Sequence, residues 1–287
     1  TSMNKGTIPY SNLIKAITKA KQLANAEGFP FKVLALNWVQ GEADRAMTQN
    51  QYYLLLKQFF IDLNTDIKAI TLQTDDVKFI TYQTASWLNL WYPSGSTTQQ
   101  SGDTVQFTLT GVQKAQLQVA NELSNVYLCG AMYQFAYSDF FHPADRAVIG
   151  LQQGVAMKRI LADNEDFPAF QVLSHQVIGN FINLKFDVPV KPMRFDLATD
   201  IWHNSANGVR PYFGFKVMKN SVNIISENPK IINGDTVVIK CSESPLGAEV
   251  RYADDGHYGG GNLCDSQNIT INNKGIYYKV DNYALSF

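Results

Sequence analysis

Apolar positions in the first half of the chain alternate between a helical period and short unbroken runs. Within 10–27, Leu13, Ile17, Ala20 and Ala24 share one helical face, and Gly28 followed by Pro30 stops the helix. The run 32–38 is short and almost wholly apolar, the pattern of a parallel strand covered on both faces. Thr48 with Gln51 three residues on forms a capping box, and Tyr52, Leu55, Leu56, Phe59, Leu63 and Ile67 then line one face of a second helix. Further along, 77–81 reads as a strand, 111–124 as a helix and 126–133 as a strand. A last helix covers 143–162, with Val148, Leu151, Val155 and Ile160 in phase. Helices and strands alternating at this spacing predict a parallel sheet sandwiched by helices.

After the acidic, proline-containing stretch 163–168 the texture changes. Short β-type runs at 172–177, 181–186, 212–217, 222–225, 236–241, 249–252 and 276–280 are separated by Gly, Asn and Pro, which favours a β-sandwich. The organisation expected is therefore α/β: an α/β domain over 1–165 and a β-sandwich accessory domain over 169–287, the second a candidate for carbohydrate binding. An apolar fraction of 45% with 17% charged residues is enough to bury a core in each.

Charge narrows the partners. With 24 basic and 25 acidic residues, a net charge of -1 and no long runs, the chain has no electrostatic footprint for nucleic acid or an anionic membrane. No stretch approaches the roughly 18 apolar residues of a membrane span, and no leader-like segment precedes Thr1. Because the first residue is not Met, the chain is read as a processed or truncated piece. Cys129, Cys241 and Cys264 share no CxxC spacing and read as small buried hydrophobes rather than a zinc site or disulfide framework. His175 and His203 stand apart from acidic or cysteine clusters, so no metal and no cofactor are expected. The 256–262 segment, Gly-His-Tyr-Gly-Gly-Gly-Asn, lacks the strand-loop-helix setting of a phosphate cradle and reads as a hairpin.

Two segments carry chemistry. Trp38-Val39-Gln40-Gly41-Glu42-Ala43-Asp44 directly follows a predicted strand, and ligands in open parallel sheets sit beyond the carboxyl ends of strands. Gly41 permits a tight backbone, and Gln40 offers an amide donor to a developing oxyanion; the competing reading is a plain helix-start loop. The second segment is Ser138-Asp139-Phe140-Phe141-His142-Pro143. A carboxylate three residues before a histidine can accept its Nδ1 proton and leave Nε2 free as a general base, although a structural histidine fits too. Trp87, Trp91 and Tyr92 follow another strand and suit either a sugar-facing wall or a hydrophobic plug, and Gln83 just before them has the geometry to reach the same cleft.

Together the two segments resemble the SGNH hydrolases, in particular the branch of sialate O-acetylesterases and bacterial or phage acetyl-polysaccharide esterases. Trp38-x-Gln40-Gly41-Glu42-x-Asp44 is similar to that branch's third block, and Asp139-x-x-His142 to its fifth. The tail, with Tyr252-Ala253, the stretch 261–266 and Asn282-Tyr283-x-x-x-Phe287, resembles a β-rich appendage of polysaccharide-acting members. The resemblance implies a flavodoxin-like α/β/α domain, incomplete at its amino end. It makes His142 the general base, Asp139 its orienting carboxylate, Gln40 an oxyanion-hole donor and Glu42 a supporting group, with Gly41, Gln83, Trp87 and Trp91 toward the substrate. The substrate implied is an acetylated polysaccharide or glycan, and the setting is extracellular or virion-associated.

The same family carries its nucleophilic serine in an earlier block, with an oxyanion-hole glycine in the next, and neither motif occurs after Thr1. The serine is expected from an upstream segment or a second chain, and the resemblance leaves room for a homo-oligomer. Ser2 has no strand before it to form a nucleophile elbow. Without the serine this chain alone is expected to be nearly inactive. The rival readings are an inactive glycan-binding or structural module, such as part of a tailspike, and an acyltransferase built on the same triad.

Overall fold

The computed structural model of the protein describes residues 4–44, 46–84, 111–134, 147–197, 211–254, 261–273 and 276–287. Helix α1 (Ile8–Ala26) is capped by the Thr7 side chain and ends just before Gly28. Strand β1 (Ala35–Asn37) follows, then helix α2 (Gln49–Thr71), whose capping box joins Thr48 and Gln51 as the spacing predicts. Strand β2 (Lys78–Gln83), helix α3 (Gly111–Glu122), strand β3 (Val126–Ala131) and helix α4 (Ala147–Met157) complete the first half.

The strands form a parallel sheet in the order β1-β2-β3, with Leu36 opposite Phe79 and Phe79 opposite Val126. Helices cover β2 on both faces. Phe79 packs with Phe60 and Leu63 of α2 and Val112 of α3, while Ile80, one residue along and so on the other face, packs with Ile149 and Ala156 of α4.

Two expectations need correction. The apolar run 32–38 yields only three residues of strand, in which Ala35 packs against one core cluster and Leu36 against the other, but both are only half-buried, and Leu34 just before them is 55% exposed. The reason is position: β1 is the edge of the sheet, and among the described residues it pairs with β2 alone. Of the four α4 residues expected in phase, Val155 and Ile160 are buried but Val148 and Leu151 only half-buried, and Ile149, Gln152, Gln153 and Ala156 share the buried face. A π-helical turn, Lys158–Ala162, follows α4 and carries the buried Ile160.

The second half is antiparallel. Strands β4 (Gln171–Ile178), β5 (Phe181–Asp187), β6 (Arg194–Phe195), β7 (Phe215–Lys219), β8 (Val222–Asn223), β9 (Lys230–Ile232), β10 (Thr236–Lys240), β11 (Glu249–Tyr252), β12 (Leu263–Cys264), β13 (Ile269–Asn273) and β14 (Ile276–Val280) form several small sheets. The largest has the order β4-β5-β10-β9, and a second runs β11-β7-β8. Four short strands, β6, β9, β12 and β13, were not expected from the pattern, since two to five residues are too few for a period of two to stand out.

One apolar core runs between the halves: Ile80, Tyr82 and Leu128 share a cluster with Phe186, Phe215 and Tyr252. The carboxyl-terminal segment is threaded through this contact. Tyr133 donates to Ala284 O at 2.6 Å, and Gln83 pairs with the Ser286 backbone through both amide atoms, at 2.8 and 3.2 Å. All three cysteines are buried and none forms a disulfide, as expected of small apolar side chains.

Candidate active site

Beyond β1 the chain turns through 38–44 at the carboxyl end of the parallel sheet. Gly41 has φ 142°, and a Cβ built there would lie 2.8 Å from Gln116 Nε2 and 3.1 Å from Val112 Cγ1. Only glycine combines that backbone with so close an approach to α3. The approach brings Gln40 O within 3.1 Å of Gln116 Nε2, which donates to it. Gln116 Oε1 in turn accepts from Thr84 N at 2.9 Å, and Gln113 Nε2 donates to Thr84 O at 2.7 Å. Two neutral amides on α3 thereby tie the turn after β1 to the residue after β2.

The Gln40 side chain is fixed at both ends. Its Oε1 accepts from the Tyr52 hydroxyl at 2.5 Å, and its Nε2 donates to Asp44 Oδ2. Burial, reinforced by the charges of Asp44 and Glu42, pushes ionisation of Tyr52 far above its ordinary range, so the phenol remains a donor. That in turn orients Gln40 with its oxygen toward Tyr52 and its nitrogen away. One Nε2 hydrogen is used by Asp44; the second has no partner among the described residues. Glu42 is buried and accepts from Tyr82 Oη at 2.5 Å, which pins the turn to β2.

The structure thus groups Gln40, Gly41, Glu42 and Asp44, and it gives the Gln83 amide to Ser286. Asp139, His142, Trp87, Trp91, Tyr92, His203 and 255–260 lie outside the described residues. His175 lies exposed on β4.

Sequence reading passed over the supports. Tyr52, Tyr82, Gln113 and Gln116 hold the turn, and on α4 Gln153 Nε2 donates to Ile80 O at 3.2 Å while Gln152 Nε2 donates to Cys129 O at 2.7 Å. Gln134, just past β3, is 4% exposed, and neither its oxygen nor its nitrogen has a partner among the described residues. The available signal was polar residues in apolar phase: Gln113 and Gln116 alternate with Val112, Ala115 and Val119, all buried.

Among the described residues, Asp196, Cys264 and Asp281 place ligand-type atoms within 4.8 Å of one another. Arg194 pairs with both carboxylates, its guanidinium 2.6 Å from Asp281 and 3.8 Å from Asp196, and Tyr283 donates to Asp196 at 2.7 Å. The cluster is an ion-paired support for the tail.

No family model matches the chain, and no curated protein matches it. Among solved structures, the fold is similar to that of a carbohydrate acetylesterase from Xanthomonas citri, with a TM-score of 0.54 and 15% identity over 83% of this chain. The chain spans about half of that protein, 48% of its length, and at this identity the likeness is one of fold.

Proposed function

We propose that this chain is part of a carbohydrate O-acetylesterase of the SGNH kind, acting on an acetylated polysaccharide. The observation that carries the reading is the preorganised Gln40 amide at the carboxyl end of β1, oriented by Tyr52 and Asp44 with one N–H unpaired among the described residues. An amide fixed before reaction needs no reorganisation when charge develops, which is the condition for oxyanion stabilisation. The fold likeness to a carbohydrate acetylesterase supports the same class.

In the proposed reaction a serine hydroxyl attacks the acetyl carbonyl carbon while His142, oriented by Asp139, takes its proton. The oxyanion is held by the Gln40 N–H and two backbone amides, and the sugar hydroxyl leaves with the proton from His142. Water then attacks the acetyl-serine, giving its proton to His142, which returns it to the serine oxygen as that bond breaks and acetate departs. Glu42 acts at one remove, holding the turn through Tyr82. The serine is proposed to come from a segment upstream of Thr1 or from a second chain. Among the described residues β1 pairs with β2 alone, and its other edge offers a further strand a place to add. We assign 1–165 to the hydrolase domain and 169–287 to a β-sandwich accessory domain.

The test is acetate release by the full-length protein from acetylxylan, acetylated glucomannan and O-acetylated polysialic acid, with p-nitrophenyl acetate as a substrate that needs no glycan contacts. Release from at least one polymer is expected. Glycan binding without any ester hydrolysis would replace this reading with that of a binding module.

A further inference from the structure

A second place on the molecule has the chemistry of a ligand site. Two cavities of about 340 and 560 Å³ share Leu117, Val250, Ser286 and Phe287, so they are two lobes of one groove between α3 and the tail. Each falls within the roughly 300–1,000 Å³ typical of small-molecule sites. The larger lobe reaches Gln83, the last residue of β2, and α3 forms the wall between the groove and the Gln40 turn: Gln116 faces the turn, while Leu117 and Gln118 face the groove.

The floor is apolar and includes the half-buried ring of Phe287, which stacks on Tyr252 at 27° between ring planes. The rim is amide. Gln49 donates to Gln118 at 3.0 Å, and Asn121 and Gln171 exchange two hydrogen bonds of 3.0 and 2.7 Å. Each amide pair keeps unused N–H and lone-pair capacity facing solvent. Charge is close to balance: Glu122 and Glu249 are paired with Lys57 and Arg251, which leaves Lys114 as one cation in excess. One lysine in excess gives an anionic polymer little to hold, whereas a neutral polyhydroxylated chain meets donors and acceptors along the rim and a ring and aliphatic carbons beneath its C–H faces.

We infer that this groove binds a neutral oligosaccharide segment and holds it beside the parallel sheet's carboxyl end. The inference rests on the esterase reading only for why such a segment would be delivered there. Binding itself does not depend on ester chemistry.

The experiment uses acetyl-free xylohexaose, cellohexaose and mannohexaose, with polygalacturonic hexasaccharide as the charged control, titrated calorimetrically into the full-length protein. At least one neutral hexasaccharide is expected to bind, and Leu117→Arg, which fills the shared floor, should weaken it at least tenfold. Because Leu117 also touches the core, Asn121→Ala on the exposed rim serves as a second variant, with a threefold or greater loss expected and an unchanged thermal midpoint. Failure of all three neutral sugars to bind, binding unaltered by both substitutions, or preference for the charged control would each overturn the proposal. Since no probe carries an ester, loss of esterase activity in the same protein would leave this outcome intact.

Discussion

The full-length protein carrying His142→Ala is expected to hydrolyse p-nitrophenyl acetate at least about 10³-fold more slowly than the unaltered protein. Removing any member of a serine triad costs several orders of magnitude, because the nucleophile is then no longer deprotonated as it attacks; the residual rate, about 10³ to 10⁴ over water, comes from the oxyanion hole and binding. Asp139→Asn should also produce a large loss, since an amide in place of the carboxylate favours the wrong imidazole tautomer. Steady-state kinetics on the two variants and their parent decide the matter. Unchanged turnover in His142→Ala would remove the histidine from the chemistry.

A comparably large effect, on stability rather than rate, is expected from Gly41→Ala. A side chain at φ 142° occupies a region that is essentially glycine's alone, at a cost of about 1–3 kcal/mol. The new Cβ also lies 2.8 Å from Gln116 Nε2, so the amide must withdraw from Gln40 O and Thr84 N. Each buried backbone group left without a partner costs about 1–3 kcal/mol more. A loss of roughly 2–5 kcal/mol follows, read as a lower denaturant midpoint, together with reduced activity because the Gln40 turn has moved. Gly154 supplies the control. It is exposed on α4 with nothing within 4 Å of an added Cβ, so Gly154→Ala should gain about 0.5–1 kcal/mol. Equal, small effects at both glycines would mean that the contact with Gln116 does not constrain the turn.

Long elements were legible in the sequence and short or long-range ones were not. The α2 face is found buried at Tyr52, Leu56, Phe59, Leu63 and Ile67, because about six turns of consistent period and a capping box leave little ambiguity. The parallel order of β1, β2 and β3 follows from their alternation with helices. The shortness and partial burial of β1 were not legible, because an apolar run looks the same at the centre of a sheet and at its edge. The two-residue strands Arg194–Phe195 and Leu263–Cys264 carry no period at all, and only their pairing with each other defines them.

The candidate site shows the same division. Gln40, Gly41 and Glu42 announce themselves as a turn after a strand, and the structure finds them there. Their holders do not, because Gln116 is 76 residues from Gln40 and Tyr82 is 40 from Glu42. Contacts at such separations leave a trace only as polar side chains in the wrong phase, which a reading for apolar faces passes over.

Trapping the full-length protein with a phosphonate ester that forms a covalent serine adduct, followed by structure determination, addresses the central claim directly. The adduct copies the tetrahedral intermediate, so its phosphonyl oxygen marks the oxyanion. The proposed site predicts that oxygen about 2.7–3.1 Å from Gln40 Nε2, with His142 on the opposite side of the modified serine. An adduct at the amino end of the parallel sheet, or one whose oxygen is held without Gln40, would contradict it.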